Sequence, residues 1–277
     1  MSGEMLFEVI GEIEDHFVTE ENERMKGRRV TAKQWAGLAA CMVLVVAVAT
    51  GILWSEWKGE IASEDSRDEL LEPIIMAVYK DAYYEVVESE KILERYHLPN
   101  EITLDMVGEC FGKVTDEGNE ELGDFYRYLP YGETCDAVYL LSSDGIHYRF
   151  ALFCNFIHPN DRVYEEASVL FGLYGVDTSE DIASMTVGNK TVTDRTEIEK
   201  VYTALCEAEA MGNHDFQRQV FEGRSEEEQQ KLSGELADNN VEFQFVTRSG
   251  AVIKGIRYYK TISYFAWSLN YYRITAE

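Results

Sequence analysis

The sequence predicts an α+β protein in which one transmembrane helix precedes an extracellular, mainly antiparallel sheet with packed helices. Three observations predict this fold class. Residues 35–54 form a continuous uncharged run, and beyond residue 68 segments with helical periodicity alternate with strand-like runs bounded by turn residues. A hydrophobic content of 45% is typical of folded chains and argues against global disorder.

The charge balance excludes one class of partner. The chain holds 25 Lys and Arg against 51 Asp and Glu, a formal net charge of −26. A nucleic-acid-binding protein neutralises phosphates with clustered basic side chains, and this composition opposes such binding. We therefore expect no nucleic-acid partner.

Residues 1–34 read as a short amphipathic, acidic helix in the cytoplasm. Leu6, Ile10, Ile13 and Phe17 recur at helical spacing, with acidic residues between them. So short a segment cannot bury a core alone, so its apolar stripe needs a partner. A second copy of the chain or the membrane could cover it, but its acidity disfavours an anionic leaflet. A protein groove is the better candidate, and these four residues are the predicted partner-binding site.

Residues 35–54 are the predicted membrane span, with the sequence WAGLAACMVLVVAVATGILW. A helix of that length crosses roughly 30 Å of hydrocarbon. Trp35 and Trp54 stand at its ends, where indole rings prefer the headgroup level. Basic residues precede the span and acidic residues follow it, so the positive-inside rule puts the N-terminus in the cytoplasm. Residues 55–67 then form a linker, and 68–277 an extracellular domain.

Four sequence segments carry a resemblance to a known family. They are LFEVIGEIEDHFV in the first segment, LAAC in the span, and LFGLYGVDTSEDIAS and VTDRTEIEKVYTAL in the extracellular part. The chain resembles single-pass membrane proteins of clostridial-type bacteria that are associated with extracytoplasmic-function sigma factors. The resemblance implies an anti-sigma-like role, with a sigma factor bound through residues 1–34. The chain departs from zinc-type anti-sigma proteins, because those residues contain His16 but no cysteine.

In the extracellular part the pattern predicts helices and strands in alternation. Apolar residues at helical spacing predict a first helix over 68–96. Asp194, followed three residues later by Glu197, is typical of a helix N-terminus, with Ile198, Val201, Tyr202 and Leu205 as its buried stripe. One domain and two halves, 68–158 and 159–277, are both compatible with this order. The other predicted elements are a hairpin of 137–141 and 148–153 around the turn 142–145, a helix over 161–174, and strands over 185–192, 241–247, 252–259 and 264–274.

The cysteines leave two alternatives open. Cys41 lies in the span, and four cysteines remain outside it: Cys110, Cys135, Cys154 and Cys206. An even number in an extracellular domain permits two disulfides with three connectivities. Buried free thiols are the other interpretation, because cysteine packs as a small hydrophobe.

No motif identifies a catalytic or metal centre. The five histidines are scattered, without an H-E-x-x-H pair. Ser142 or Ser143 near His147 could form a nucleophile pair, but there is no G-x-S-x-G elbow. The acidic run 177–181 invites calcium but lacks the EF-hand pattern, and a helix start explains it better. A cell-wall hydrolase would need two converging carboxylates. We expect no enzyme activity, no metal and no cofactor.

Five tyrosines near the C-terminus could form an exposed ligand patch or part of the core of a sheet: Tyr258, Tyr259, Tyr264, Tyr271 and Tyr272. The core interpretation is favoured, because neighbouring strand residues point to opposite faces. The sequence thus predicts a non-enzymatic extracellular sensing or binding domain joined to a short cytoplasmic partner-binding helix. The alternative is an anchored surface module that binds cell-wall sugar or protein without signalling.

Overall fold

A computed structural model describes residues 74–158 and 164–274, which belong to one compact α+β unit. Six strands close into a barrel in the order β1-β2-β6-β5-β4-β3, and seven form a sheet in the order β8-β7-β10-β11-β12-β13-β9. All strand pairs are antiparallel, as the sequence predicts. The strands are β1 Ile75–Tyr79, β2 Ala82–Val87, β3 Val107–Thr115, β4 Glu121–Tyr128, β5 Val138–Ser142, β6 Arg149–Phe156, β7 Ile182–Val187, β8 Lys190–Val192, β9 Glu209–Met211, β10 Asn240–Thr247, β11 Val252–Tyr259, β12 Tyr264–Trp267 and β13 Asn270–Arg273. The helices are α1 Glu90–Arg95, α2 Ala167–Leu173, α3 Arg195–Glu207, α4 Asn213–Phe221 and α5 Glu226–Asp238.

The predicted helix over 68–96 is wrong over most of its described length. Residues 75–87 form the β1–β2 hairpin instead, and only α1 is helical. The hairpin turns at Lys80 and Asp81, whose φ angles are 48° and 58°. Aromatic and β-branched residues fill β2 and favour a strand. In the barrel most of β2 and Ala77 of β1 are buried, a gain that local periodicity does not register.

Aromatic side chains fill the barrel. Tyr84, Phe125, Tyr139 and Phe153 are all at most 9% exposed. Together with Tyr79 these side chains form a set of ring contacts with centroid separations between 5.0 and 5.9 Å, mostly edge to face. Six strands enclose only enough space for side chains, so the barrel interior is a packed core.

The β5–β6 hairpin confirms one prediction. Its strands pair from Val138 with Leu152 to Leu141 with Arg149, and the predicted turn joins them. Asp144 shapes this turn, since its carboxylate accepts hydrogen bonds from the backbone N–H groups of residues 146 and 147.

In the seven-stranded sheet, two segments that were predicted as single strands are hairpins. The run 185–192 is a hairpin, β7–β8, which turns at Gly188 with a φ of 56°. The run 264–274 is likewise a hairpin, β12–β13, which turns at Ser268 and Leu269 with φ angles of 48° and 63°. In both cases the turn uses a left-handed conformation that the sequence does not announce, except at the glycine.

The helices cover both faces of this sheet. The α3 N-terminus is confirmed, because the Asp194 carboxylate accepts hydrogen bonds from the backbone N–H groups of Thr196 and Glu197. The buried residues of α3 are Ile198, Val201 and Leu205, whereas Tyr202 of the same helix is half-buried. The helix predicted over 161–174 is shorter in the structure, where α2 begins at Ala167. Two helices were not predicted, α4 and α5, whose buried residues pack with Tyr264 and Tyr271.

The barrel packs against the α2 region through backbone hydrogen bonds. The carbonyl oxygen of Leu173 accepts hydrogen bonds from the amides of Asp136 at 2.6 Å and Ala137 at 2.9 Å. An isolated antiparallel bridge joins Cys135 to Tyr174. In β5, which follows directly, Val138 and Leu140 are at most 4% exposed.

Several expectations concern residues that the structure does not describe. The cytoplasmic segment 1–34, the membrane span 35–54 and the linker 55–67 all lie outside the described ranges. Within 74–158 and 164–274, no helix is both long enough and apolar enough to span a membrane.

Candidate functional site

The four described cysteines are free thiols, which answers the open choice between disulfides and thiols. Cys135 is buried, and desolvation raises the pKa of its thiol to about 11. Burial also raises the pKa values of the Cys154 and Cys206 thiols. Such thiols stay protonated near neutral pH and are poor nucleophiles. Only Cys110, among these four, is exposed.

Ser142, Asp144 and His147 lie together but do not form a catalytic triad. The Ser142 hydroxyl donates to Asp144 Oδ1 at 3.2 Å, and His147 Nδ1 lies 2.7 Å from Asp144 Oδ2. The serine and histidine therefore both contact the carboxylate, whereas a nucleophile pair requires them to contact each other. These hydrogen bonds hold the pKa of the Asp144 carboxyl well below its usual range. The cluster serves the β5–β6 turn.

The acidic run 177–181 caps a short 3₁₀ helix. Asp181 Oδ2 accepts hydrogen bonds from the backbone N–H groups of Asp177 at 3.1 Å and Thr178 at 2.9 Å. Its carboxylate thus faces amide donors. No group of three His, Cys, Asp or Glu side chains in the described ranges is arranged to hold a metal ion.

The C-terminal tyrosines mostly belong to the core. Tyr258 and Tyr272 are fully buried, and Tyr264 and Tyr271 are at most 8% exposed. Tyr271 stacks on Phe216 of α4 with a centroid separation of 3.7 Å. These rings hold α4 on the sheet, so they form no exposed ligand patch.

A cluster of aromatic and cationic side chains lies at one end of the barrel, and the sequence did not reveal it. This end holds the C-terminus of β1, the C-terminus of β4 and the start of β5. Residues far apart in the chain meet there. Two of them, Tyr79 and Lys80, lie in the segment 68–96 that was predicted as a helix. The barrel-end cluster consists of Tyr79, Lys80, Phe111, Arg127 and Tyr139.

Two cations lie over the rings of the barrel-end cluster. The Arg127 guanidinium carbon is 4.7 Å from the ring centroid of Phe111, and Lys80 Nζ is 5.7 Å from the same centroid. Lys80 Nζ is also 5.1 Å from the Tyr79 ring centroid. Cations at these distances are attracted by the ring quadrupole. The cluster thus concentrates positive charge in a strongly acidic chain.

Arg127 is held from one side only. Its Nη1 donates to the Cys135 carbonyl oxygen at 3.3 Å and to Asp136 Oδ1 at 3.4 Å. Asp136 Oδ1 also accepts a hydrogen bond from the Tyr139 hydroxyl at 2.8 Å. Within the described ranges, Nε and Nη2 of Arg127 make no hydrogen bond. The guanidinium is therefore held through Nη1, and the N–H groups of Nε and Nη2 remain available as donors.

Glu85 is the most unusual carboxyl group of the described residues. It lies in β2, is 9% exposed, and forms no ion pair with any described residue. Desolvation raises the pKa of this carboxyl to about 7. Besides burial, the charge of Glu85 raises the pKa values of the Cys154 thiol and the Tyr96 hydroxyl. Arg95 lowers the pKa of Tyr96, and Glu242 of β10 raises it.

Comparisons with protein-family models, curated proteins and solved structures found no match to this chain. The resemblance carried by residues 6–18, 38–41, 170–184 and 192–205 therefore stays a prediction. The predicted partner-binding residues lie outside the described ranges: Leu6, Ile10, Ile13 and Phe17.

Proposed function

We propose that the chain is a single-pass membrane protein that binds an extracellular ligand and holds a cytoplasmic partner. Residues 35–54 would anchor it, and the described α+β part would lie outside the cell. The observation that carries the binding role is the barrel-end cluster, where a fixed guanidinium keeps unused donors beside half-buried rings. Surface groups with spare donors beside aromatic rings are typical of ligand sites.

The cytoplasmic half of the proposal rests on the amphipathic stripe of residues 1–34. A segment too short to fold alone is ordered by a partner's groove. A sigma factor is the proposed partner, in keeping with the resemblance to sigma-associated membrane proteins. The protein would sequester that factor until its outer part changes state.

Co-purification from the source cells tests this function. The tagged full-length chain should retain a sigma factor, and the double variant Ile10→Asp/Ile13→Asp should lose it because charge on the stripe prevents burial in a groove. The matched control is Glu8→Asp/Glu12→Asp, which keeps the charges on the polar face. Retention of the factor by the Ile10/Ile13 variant would contradict the proposal. If deletion of residues 2–24 left the protein's cellular function intact, an anchored binding module without signalling would explain it better.

A further inference from the structure

The aromatic side chains that fill the barrel leave no room for a ligand in its interior. Tyr84, Phe125 and Tyr139 are at most 3% exposed and pack edge to face or stacked. Tyr79 and Phe111, at the barrel end, are half-buried and reachable from outside. The rings of the core thus extend to an accessible surface.

Lys80 is placed so that its ammonium can meet an incoming group. The residue occupies the β1–β2 turn with a φ of 48°, and its side chain is exposed. No described carboxylate pairs with it, whereas Lys113 of the same barrel pairs with Glu121 at 2.6 Å. Within residues 74–158 and 164–274, its ammonium lies near the rings of Tyr79 and Phe111. An exposed ammonium without a carboxylate partner gains from an anion nearby.

Arg127 supplies the second, less mobile cation. Its side chain is 14% exposed, and its contact with Asp136 is long at 3.4 Å. A planar guanidinium with free donors matches the two oxygens of a carboxylate or the edge of a phosphate. Arg127 and Lys80 both lie within 6 Å of the Phe111 ring centroid, so the two cations belong to the same small region of the barrel end.

We propose that the barrel-end cluster binds a small acid in which a carboxylate or phosphate is attached to a ring. The acidic group is held by Lys80 and Arg127, and the ring lies against Tyr79 and Phe111. This inference rests on the proposed function and names its ligand class. Two sources share this chemistry, acidic sugars and aromatic acids, since either ring can lie on an aromatic side chain.

Titration of the full-length chain in an uncharged polyoxyethylene detergent tests the site. The probes are glucuronate and phenylacetate, with glucose as the neutral ring control and acetate as the ringless acid control. We expect at least one of the two ring acids to bind more tightly than both controls. A preference for glucuronate identifies the source as a sugar acid, and a preference for phenylacetate identifies an aromatic acid. Binding of acetate or glucose as tight as that of the better ring acid, or no binding of either ring acid, overturns the proposal.

Two variants connect the binding to the named residues. Lys80→Met keeps most of the length of the unbranched side chain but removes its charge, and should weaken ring-acid binding about tenfold, the equivalent of one charge-assisted hydrogen bond. Lys190→Met, at an exposed lysine of β8, is the matched control and should leave binding unchanged. Phe111→Leu removes the shared ring and should weaken both ring acids but not acetate. Unaltered binding in Lys80→Met overturns the assignment.

The same preparations separate this inference from the proposed function. If neither ring acid binds but a sigma factor still co-purifies through residues 1–34, the ligand class is wrong and the signalling role stands. If the ring acids bind as expected but no factor co-purifies, the ligand class stands and the signalling role is wrong.

Discussion

Gly123 of β4 passes so close to Ser142 of β5 that a Cβ atom at Gly123 would lie 2.4 Å from the Ser142 carbonyl oxygen. The φ of Gly123 is 139°, a conformation that residues with side chains rarely adopt. Both strands belong to the closed barrel, so neither can move without opening it. This contact makes the glycine a requirement of barrel closure.

Gly123→Ala should therefore destabilise the protein severely, by at least about 3 kcal/mol in the free energy of unfolding. Gly234→Ala is the matched control, because Gly234 lies within α5 with open space around its Cβ position. Alanine is the better helix former, so that change should stabilise by about 1 kcal/mol. Urea unfolding followed by circular dichroism measures both. Near-equal effects of the two substitutions would show that β4 and β5 are not as close as described.

Glu85 predicts a specific pH dependence of stability. Its folded pKa of about 7 is above the usual 4.5, so between those values the folded protein keeps a proton that the unfolded chain loses. Its contribution to the free energy of unfolding is complete below pH 4.5 and falls by up to about 3 kcal/mol as the pH rises through 7. Glu85→Gln, which cannot ionise, should be the more stable protein at pH 8, and this advantage should shrink towards pH 4.5.

Thermal or urea unfolding of both proteins at several pH values measures this difference. Glu94→Gln is the control, because Glu94 is an exposed carboxyl of α1. Its stability should stay close to that of the parent protein at every pH. Parallel stability curves for Glu85→Gln and the parent would mean that the Glu85 carboxyl titrates like an exposed one.

Asp194 predicts the cost of losing a helix cap. Asp194→Ala removes the acceptor for the N–H groups of Thr196 and Glu197, at 2.9 and 3.1 Å, and should reduce the free energy of unfolding by about 1 kcal/mol. Glu199→Ala, an exposed substitution within the same helix, should change stability by less than about 0.5 kcal/mol. Urea midpoints of the two variants give the comparison. A loss for Glu199→Ala as large as that for Asp194→Ala would contradict the capping role.

The elements that were predicted correctly carry their signals within a few residues. The Asp194 cap and the turn around Asp144 depend on local hydrogen bonds, which a short sequence pattern records. The helix predicted over 68–96 failed because its apolar residues suit a strand equally well once a partner strand is present. The β1–β2 turn is formed by Lys80 and Asp81, and neither position is a glycine or asparagine that would indicate a turn in the sequence.

The barrel-end cluster could not be found from sequence for a related reason. Phe111 and Arg127 come together with Tyr79 only when the barrel closes, and no spacing rule connects positions on β1, β3 and β4. The carboxyl of Glu85 is likewise ordinary in sequence and unusual only because of what covers it.

The central proposal is that the chain is anchored in the membrane with its described part outside the cell, and Cys110 allows a direct test. Cys110 is exposed and free, whereas Cys135 is buried and its pKa is raised to about 11. A membrane-impermeant maleimide added to intact cells should therefore label the protein at Cys110, and Cys110→Ser should abolish most of that label. Labelling that appears only after the cells are lysed would contradict the claim and place the α+β part inside.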